Sequence, residues 1–125
     1  MAKVLVVDDS ALSRRVSRRI LEAAGHAVTD VADGLAALER YALDRPDLVL
    51  LDVTMAEMDG LEVLRQLRAM DPGAVVVMAT ADVQSSTREM ADAAGAAGFV
   101  SKPLAAETVL RAVSAALPGA QGGTK

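Results

Sequence analysis

Five residues, Leu48-Val49-Leu50-Leu51-Asp52, constrain this chain more than any others. Four consecutive aliphatic side chains leave a strand with no polar face, so both of its faces must be covered. A parallel sheet sandwiched between helices meets that demand. Asp52 then emerges at the carboxyl end of the strand, the edge at which open α/β sheets bind ligands. Taken alone, an aspartate in this position is more often just the start of a turn.

The rest of the chain repeats the pattern. Lys3 to Val7 is a first aliphatic strand, followed by Asp8-Asp9-Ser10, in which Asp9 or Ser10 caps a helix. That helix carries a stripe of Leu12, Val16, Ile20 and Ala23, which predicts Arg14, Arg15, Arg18 and Arg19 on a solvated opposite face. Gly25 ends it. Ala27 to Ala32 reads as a second strand, and Asp33-Gly34 turns into a helix with Leu35, Leu38, Tyr41 and Ala42 that stops before Pro46. The third strand begins at Asp47 or Leu48 and is followed, after a loop, by a helix with Leu61, Leu64 and Leu67 on one face. Val75 to Met78 predicts a fourth strand leading into Ala79-Thr80-Ala81, and Gln84 to Ala94 a more polar helix. A short fifth strand at Phe99-Val100 precedes Ser101-Lys102-Pro103 and a last helix with Leu104, Val109, Leu110, Val113 and Leu117. Five alternating units of this kind predict an α/β, doubly wound, five-stranded parallel sheet with five helices on both faces. Residues 1–118 form the domain, and the Gly-rich residues 119–125 read as a flexible tail.

Composition narrows the chemistry. Hydrophobic residues make up 52% of the 125 but aromatics only 2%, so the core is aliphatic. Without cysteine there is no disulfide, thiol catalysis or thiolate metal site. The single histidine, His26, has no second imidazole with which to bind zinc and reads as an exposed loop residue. A net charge of −4 argues against nucleic acid as a direct ligand. No apolar run approaches the roughly 20 residues of a membrane span. The start MAKVLVVDD enters a strand directly, so the expectation is a cytoplasmic protein with no membrane insertion.

Parallel strands bring their carboxyl ends to one edge, and here those ends carry Asp8 and Asp9, Asp52, Thr80 and Lys102. Each has an ordinary explanation alone, as a cap, a turn or a strand-edge residue. Together they place three carboxylates in a small volume, where they repel one another unless a cation sits among them. Oxygen ligands without nitrogen or sulfur select a hard ion, Mg²⁺ or Mn²⁺. A lysine and a threonine hydroxyl beside Asp52 suit the equatorial oxygens of a phosphoryl group, whose transfer needs positioning and charge stabilisation. Aspartate is itself a competent nucleophile for an acyl phosphate. The residues alone therefore reach Mg²⁺-assisted phosphorylation of Asp52.

Four motifs, VLVVDDS, LVLLDVTMAEMDG, VVVMATA and GFVSKPL, are similar to those of receiver domains of two-component response regulators. The chain most resembles the single-domain chemotaxis-regulator type, from Lys3 to Leu117. The resemblance implies strand order 2-1-3-4-5 and a phosphorylation-dependent signalling switch rather than an enzyme acting on a separate substrate. It implies that Asp52 accepts a phosphoryl group from a sensor histidine kinase or phosphotransfer protein. Asp9, Asp52 and the backbone carbonyl of Thr54 would bind Mg²⁺ directly, with Asp8 acting mainly through water. Lys102 and Thr80 would contact the phosphoryl group, and Phe99 would be the switch aromatic. A downstream protein would read the surface of the fourth helix, fifth strand and last helix. The Lys102-Pro103 bond matches one that is typically cis, and Ala81 a small residue that leaves the site open.

The chain also departs from the family. Ala56 stands where proline is usual, Phe99 lacks the common tyrosine hydroxyl, and Thr54 and Asp82 occupy variable positions that influence phosphoryl lifetime. Other readings are a receiver module of a longer transcriptional regulator or hybrid kinase, an aspartate-nucleophile phosphohydrolase, and a degenerate receiver that binds partners without phosphorylation. The phosphohydrolase lacks its usual second aspartate, because that position is Thr54. The intact acidic, threonine and lysine set speaks against the degenerate receiver.

Overall fold

The computed structural model describes residues 2–53, 55, 59–81 and 85–117, apart from the side chains of 85–87. Among them strands and helices alternate: β1 (Lys3–Val7), α1 (Ala11–Ala23), β2 (Ala27–Val31), α2 (Gly34–Asp44), β3 (Leu48–Asp52), α3 (Gly60–Met70), β4 (Val76–Thr80), α4 (Ser85–Ala93), β5 (Gly98–Ser101) and α5 (Ala106–Ala116). The strands form one parallel sheet in the order β2-β1-β3-β4-β5. The expected fold and strand order are both present. Observed ends differ from the sequence reading by one or two residues, as strand and helix ends commonly do.

Position in the sheet explains the strand sequences. The central strands β3 and β4 are buried at every residue, so nothing in them needs to be polar until the chain reaches Asp52 and Thr80. The edge strand β2, Ala27-Val28-Thr29-Asp30-Val31, exposes Ala27 and Thr29 and can carry a charge. One face of the sheet packs Leu5, Val7, Val49, Leu51, Val76 and Met78 against Ala37 and Tyr41 of α2, Leu64 and Leu67 of α3, and Ala91 of α4. The opposite face packs Val4, Val6, Leu48, Leu50 and Val77 against Leu21 of α1 and Val109 and Val113 of α5. In α3 the expected face of Leu61, Leu64 and Leu67 is buried, joined by Val63.

Helix α1 differs from the sequence reading. Leu12 is 67% exposed and Val16 37%, while Ser17 and Leu21 are the residues buried against the sheet. The arginines do not form one solvated face either. Arg14 and Arg18 both reach Asp30 of β2, at 3.3 and 2.7 Å, and only Arg15 and Arg19 lie on the exposed side. The cause is tertiary: the ion pairs to β2 turn the helix, and small Ser17 allows close approach to the sheet. Ser10, rather than Asp9, caps α1, its hydroxyl accepting from the Ser13 N–H at 3.2 Å.

In α2 the buried residues are Gly34, Ala37 and Tyr41, while Leu35 and Ala42 are exposed. Tyr41 sets this rotation by donating its hydroxyl to Asp71 at 2.7 Å. His26 is half-buried rather than exposed, with Nδ1 accepting from the Ala2 N–H at 3.0 Å. Among the described residues no helix is long and apolar enough to cross a membrane.

Candidate functional site

Parallel pairing delivers the polar strand ends to one edge. Val7 is in register with Leu51, Asp52 with Ala79, and Thr80 with Ser101, so the residues following β1 and β5 flank the ends of β3 and β4. Asp8 is still tied to the sheet, its N–H donating to the Val31 carbonyl at 3.2 Å. Asp52 is the last residue of β3. Both carboxylates are buried, each residue only 4% exposed, whereas Asp9 faces solvent. Carboxylate oxygens of Asp8, Asp9 and Asp52 lie within 4.8 Å of one another.

Lys102 enters this group from β5. Its N–H donates to the Thr80 carbonyl at 2.7 Å, and the Lys102-Pro103 bond is cis, as expected. The ammonium donates to Asp8 Oδ2 at 2.8 Å and stands 3.4 Å from Asp52 Oδ2. The lysine faces the acidic cluster, as expected, and its shorter contact is with Asp8. Burial works most strongly on this lysine and opposes its charge. The hydrogen bond to Asp8 and the charges of Asp52 and Asp8 together outweigh burial, holding the group above the ordinary lysine range. Asp8 Oδ1 also accepts from the Ser10 N–H at 2.9 Å. Thr80 is fully buried at the end of β4, beside this cluster in the sheet.

The loop after Asp52 is held by its backbone. Val53 N–H donates to Ala79 O at 2.9 Å, and Gly60 N–H returns to Val53 O at 3.0 Å. A Cβ on Gly60 would collide with the Asp52 carbonyl oxygen and stand 2.6 Å from Val53 Cα, so only glycine lets α3 begin this close to the acceptor strand. A second contact had no sequence signal: Arg14 Nη1 donates to the Asp8 carbonyl at 2.8 Å. Phe99 is half-buried on β5, with the Arg88 guanidinium 5.5 Å from its ring centre. Thr54, Ala56 and Asp82 lie outside the described residues.

Three carboxylates gather here, two of them paired with the Lys102 ammonium, and every side-chain donor in the acidic group is oxygen. That set suits a hard divalent cation and offers nothing to a soft one. Lys102 already leans on the excess negative charge, in keeping with a site that accepts positive charge.

Fold and site together define an α/β protein with an acidic, lysine-countered pocket at the carboxyl ends of its central strands. The chain belongs to the response regulator receiver domain family, whose model matches residues 4–114. It is 40% identical to the chemotaxis protein CheY of Listeria monocytogenes over 117 residues, covering 93% of this chain and 98% of that one. It is also 42% identical to the response regulator MprA of Mycobacterium ulcerans, covering 92% of this chain and half of the longer protein. Among solved structures, the chemotaxis protein CheY4 of Vibrio cholerae superimposes with a TM-score of 0.89 at 34% identity, over 94% of this chain and 99% of that one. The chain is therefore a CheY-like receiver of the kind that serves two-component signalling. Receiver domains of this family bind Mg²⁺ in an acidic pocket, and Asp8, Asp9 and Asp52 form such a pocket here.

Proposed function

We propose that Asp52 is the phosphoacceptor of a phosphorylation-dependent switch, charged by a sensor histidine kinase or phosphotransfer protein in the cytoplasm. The observation that carries this reading is the convergence of Asp8, Asp9 and Asp52 with Lys102 at the end of a wholly buried strand. In the transfer a carboxylate oxygen of Asp52 attacks phosphorus, the phosphohistidine P–N bond breaks, and the imidazole nitrogen keeps the electron pair. Lys102 meets the arriving negative charge, and the Thr80 hydroxyl donates to a phosphoryl oxygen. Asp9, Asp52 and the Thr54 carbonyl would hold Mg²⁺, which screens the carboxylates from the incoming phosphoryl oxygens. Both Asp8 oxygens already accept hydrogen bonds, from Ser10 and Lys102, which supports its acting through water.

The new charge then draws Thr80 towards Asp52, and Phe99 rotates into the space released. The face of α4, β5 and α5 changes shape and a downstream protein reads it. A cavity of about 520 Å³ between β5 and α5, lined by Phe99, Pro103 and Arg111, supports that choice of surface. Inverting a 1:99 population takes about 5.5 kcal/mol of differential stabilisation.

Incubation with Mg²⁺ and a small acyl-phosphate donor, read by intact mass, tests the assignment. One phosphoryl adduct is expected, absent in Asp52→Asn and in the presence of chelator. An adduct surviving both controls would overturn it. A stand-alone receiver, as in the CheY matches, and a receiver attached to a further module, as in the longer MprA, are both compatible with this reading. The mass of the native protein distinguishes the two.

A further inference from the structure

Arg14 occupies an unusual place for a cation. It lies in the first turns of α1, with its N–H donating to the Ser10 carbonyl at 3.0 Å, where the helix dipole disfavours positive charge. No acidic residue occupies the first turn to compensate. Its side chain is only 21% exposed. Something specific must offset the placement, and the contacts identify it. Nε pairs with Asp30 Oδ1 at 3.3 Å, and Nη1 donates to the Asp8 carbonyl at 2.8 Å. Asp30 is held in turn by Arg18 at 2.7 Å, and Arg18 by Glu22 at 3.1 Å.

The Asp8 carbonyl belongs to the peptide that joins Asp8 to Asp9. The β1–β2 pairing finishes with the Asp8 N–H on Val31, so this carbonyl has left the ladder. Its orientation fixes the plane of the Asp9 amide and hence where the exposed Asp9 carboxylate starts. We propose that Arg14 is a positioning residue for the cation site: braced on Asp30, it holds the Asp8–Asp9 peptide so that Asp9 faces Asp8 and Asp52. This inference rests on the cation site proposed above.

Two effects of Arg14 oppose each other, which makes the test a test of sign. As a bare charge near the acidic group, Arg14 repels a cation, so its removal would tighten Mg²⁺ binding. As a positioning residue it organises a ligand, so its removal weakens binding. Groups that orient metal ligands typically contribute 10–100-fold in affinity. A part-exposed side chain acting on a backbone carbonyl belongs at the lower end.

The experiment is calorimetric titration of the full chain with Mg²⁺ alone, without phosphoryl donor. Arg14→Ala is expected to weaken Mg²⁺ binding about tenfold and to move the Asp9 amide resonance before any metal is added. Arg14→Lys, which keeps a donor and the charge, recovers part of the loss. Arg19→Ala, which removes an exposed charge from the same helix outside this chain of ion pairs, leaves affinity unchanged. Should Arg14→Ala fail to fold, Arg14→Gln, which keeps much of the side chain's packing, carries the same expectation. Equal or tighter binding by the Arg14 variants, or equal weakening by Arg19→Ala, overturns the proposal. Absence of Mg²⁺ binding by the wild-type chain overturns instead the cation site on which it rests.

Discussion

The two rims of the sheet are built on opposite electrostatic plans. At the amino rim Lys3, Asp47, Arg45 and Asp71 each have a neighbour of the other sign or a backbone partner. The Lys3 N–H donates to Asp47 Oδ2 at 2.8 Å and its ammonium to the Asp44 carbonyl at 2.9 Å. Asp71 accepts from both the Tyr41 hydroxyl and Arg45 at 2.7 and 3.0 Å. These groups are mostly exposed or half-exposed. At the carboxyl rim three carboxylates crowd together, and the two buried ones, Asp8 and Asp52, share the ammonium of Lys102. Charges paired at a wet surface add little to stability, while unbalanced buried charge costs stability and is available for chemistry. The contrast separates the end of the sheet that closes the fold from the end that works.

The sharpest break in that contrast is Asp52→Asn. It is expected to abolish the phosphoryl adduct completely. Because it relieves like-charge crowding, it should also raise stability in chelator by an amount on the order of 1 kcal/mol, measured by urea unfolding. A loss of stability would mean that the carboxyl rim is not strained by its charge. Next comes Lys102→Met, which leaves Asp8 and Asp52 without their cation. Unfolding in chelator should show a loss of about 2 kcal/mol, and Mg²⁺ should restore more stability to this variant than to the wild type.

The amino rim should respond to pH rather than to metal. Burial first, then the hydrogen bond to Asp71, push the Tyr41 hydroxyl up to about 12 from its ordinary 10. A raised folded pKa contributes stability that is complete below pH 10 and is lost as pH rises towards 12. Asp71 is held below the usual carboxylate range, chiefly by the Tyr41 hydrogen bond. Its contribution is present above the unfolded carboxylate pKa and is lost as pH falls through the lower folded value. Tyr41→Phe should flatten the alkaline limb of a stability–pH curve and shrink the acid limb, with Mg²⁺ affinity unchanged. The smallest effect belongs to Asp47→Ala, at an exposed contact worth less than about 1 kcal/mol. A change in its Mg²⁺ affinity would show that the rims are coupled.

Much of this is legible in the sequence. Strands β1, β3 and β4 follow from unbroken aliphatic runs, and the candidate site follows from noticing that parallel strands share one carboxyl edge. Asp8, Asp9, Asp52 and Lys102 do converge there. What misled was the inner face of α1. Leu12 and Val16 looked like core residues by periodicity, yet they are exposed, and Ser17 and Leu21 are buried instead. Apolar spacing identifies a helix, but its rotation is decided by small residues that permit close approach and by polar anchors such as Asp30 and Asp71 on other elements. Arg14 is the same case carried into the site. As one of four arginines at helical spacing it read as solvated, and only its bond to the Asp8 carbonyl sets it apart.

By itself the sequence determined the alternating α/β fold, the edge at which chemistry sits and the residue types gathered there, because hydrophobic runs and strand direction are local properties. Tertiary structure alone decided that Lys102 bonds most closely to Asp8, that Gly60 must lack a side chain beside the Asp52 carbonyl, and that Arg14 is braced between β2 and the acidic turn. Each of these depends on distances between segments far apart in the chain. A long side chain can reach several partners from one position, and which one it meets is settled only when the sheet and helices have packed.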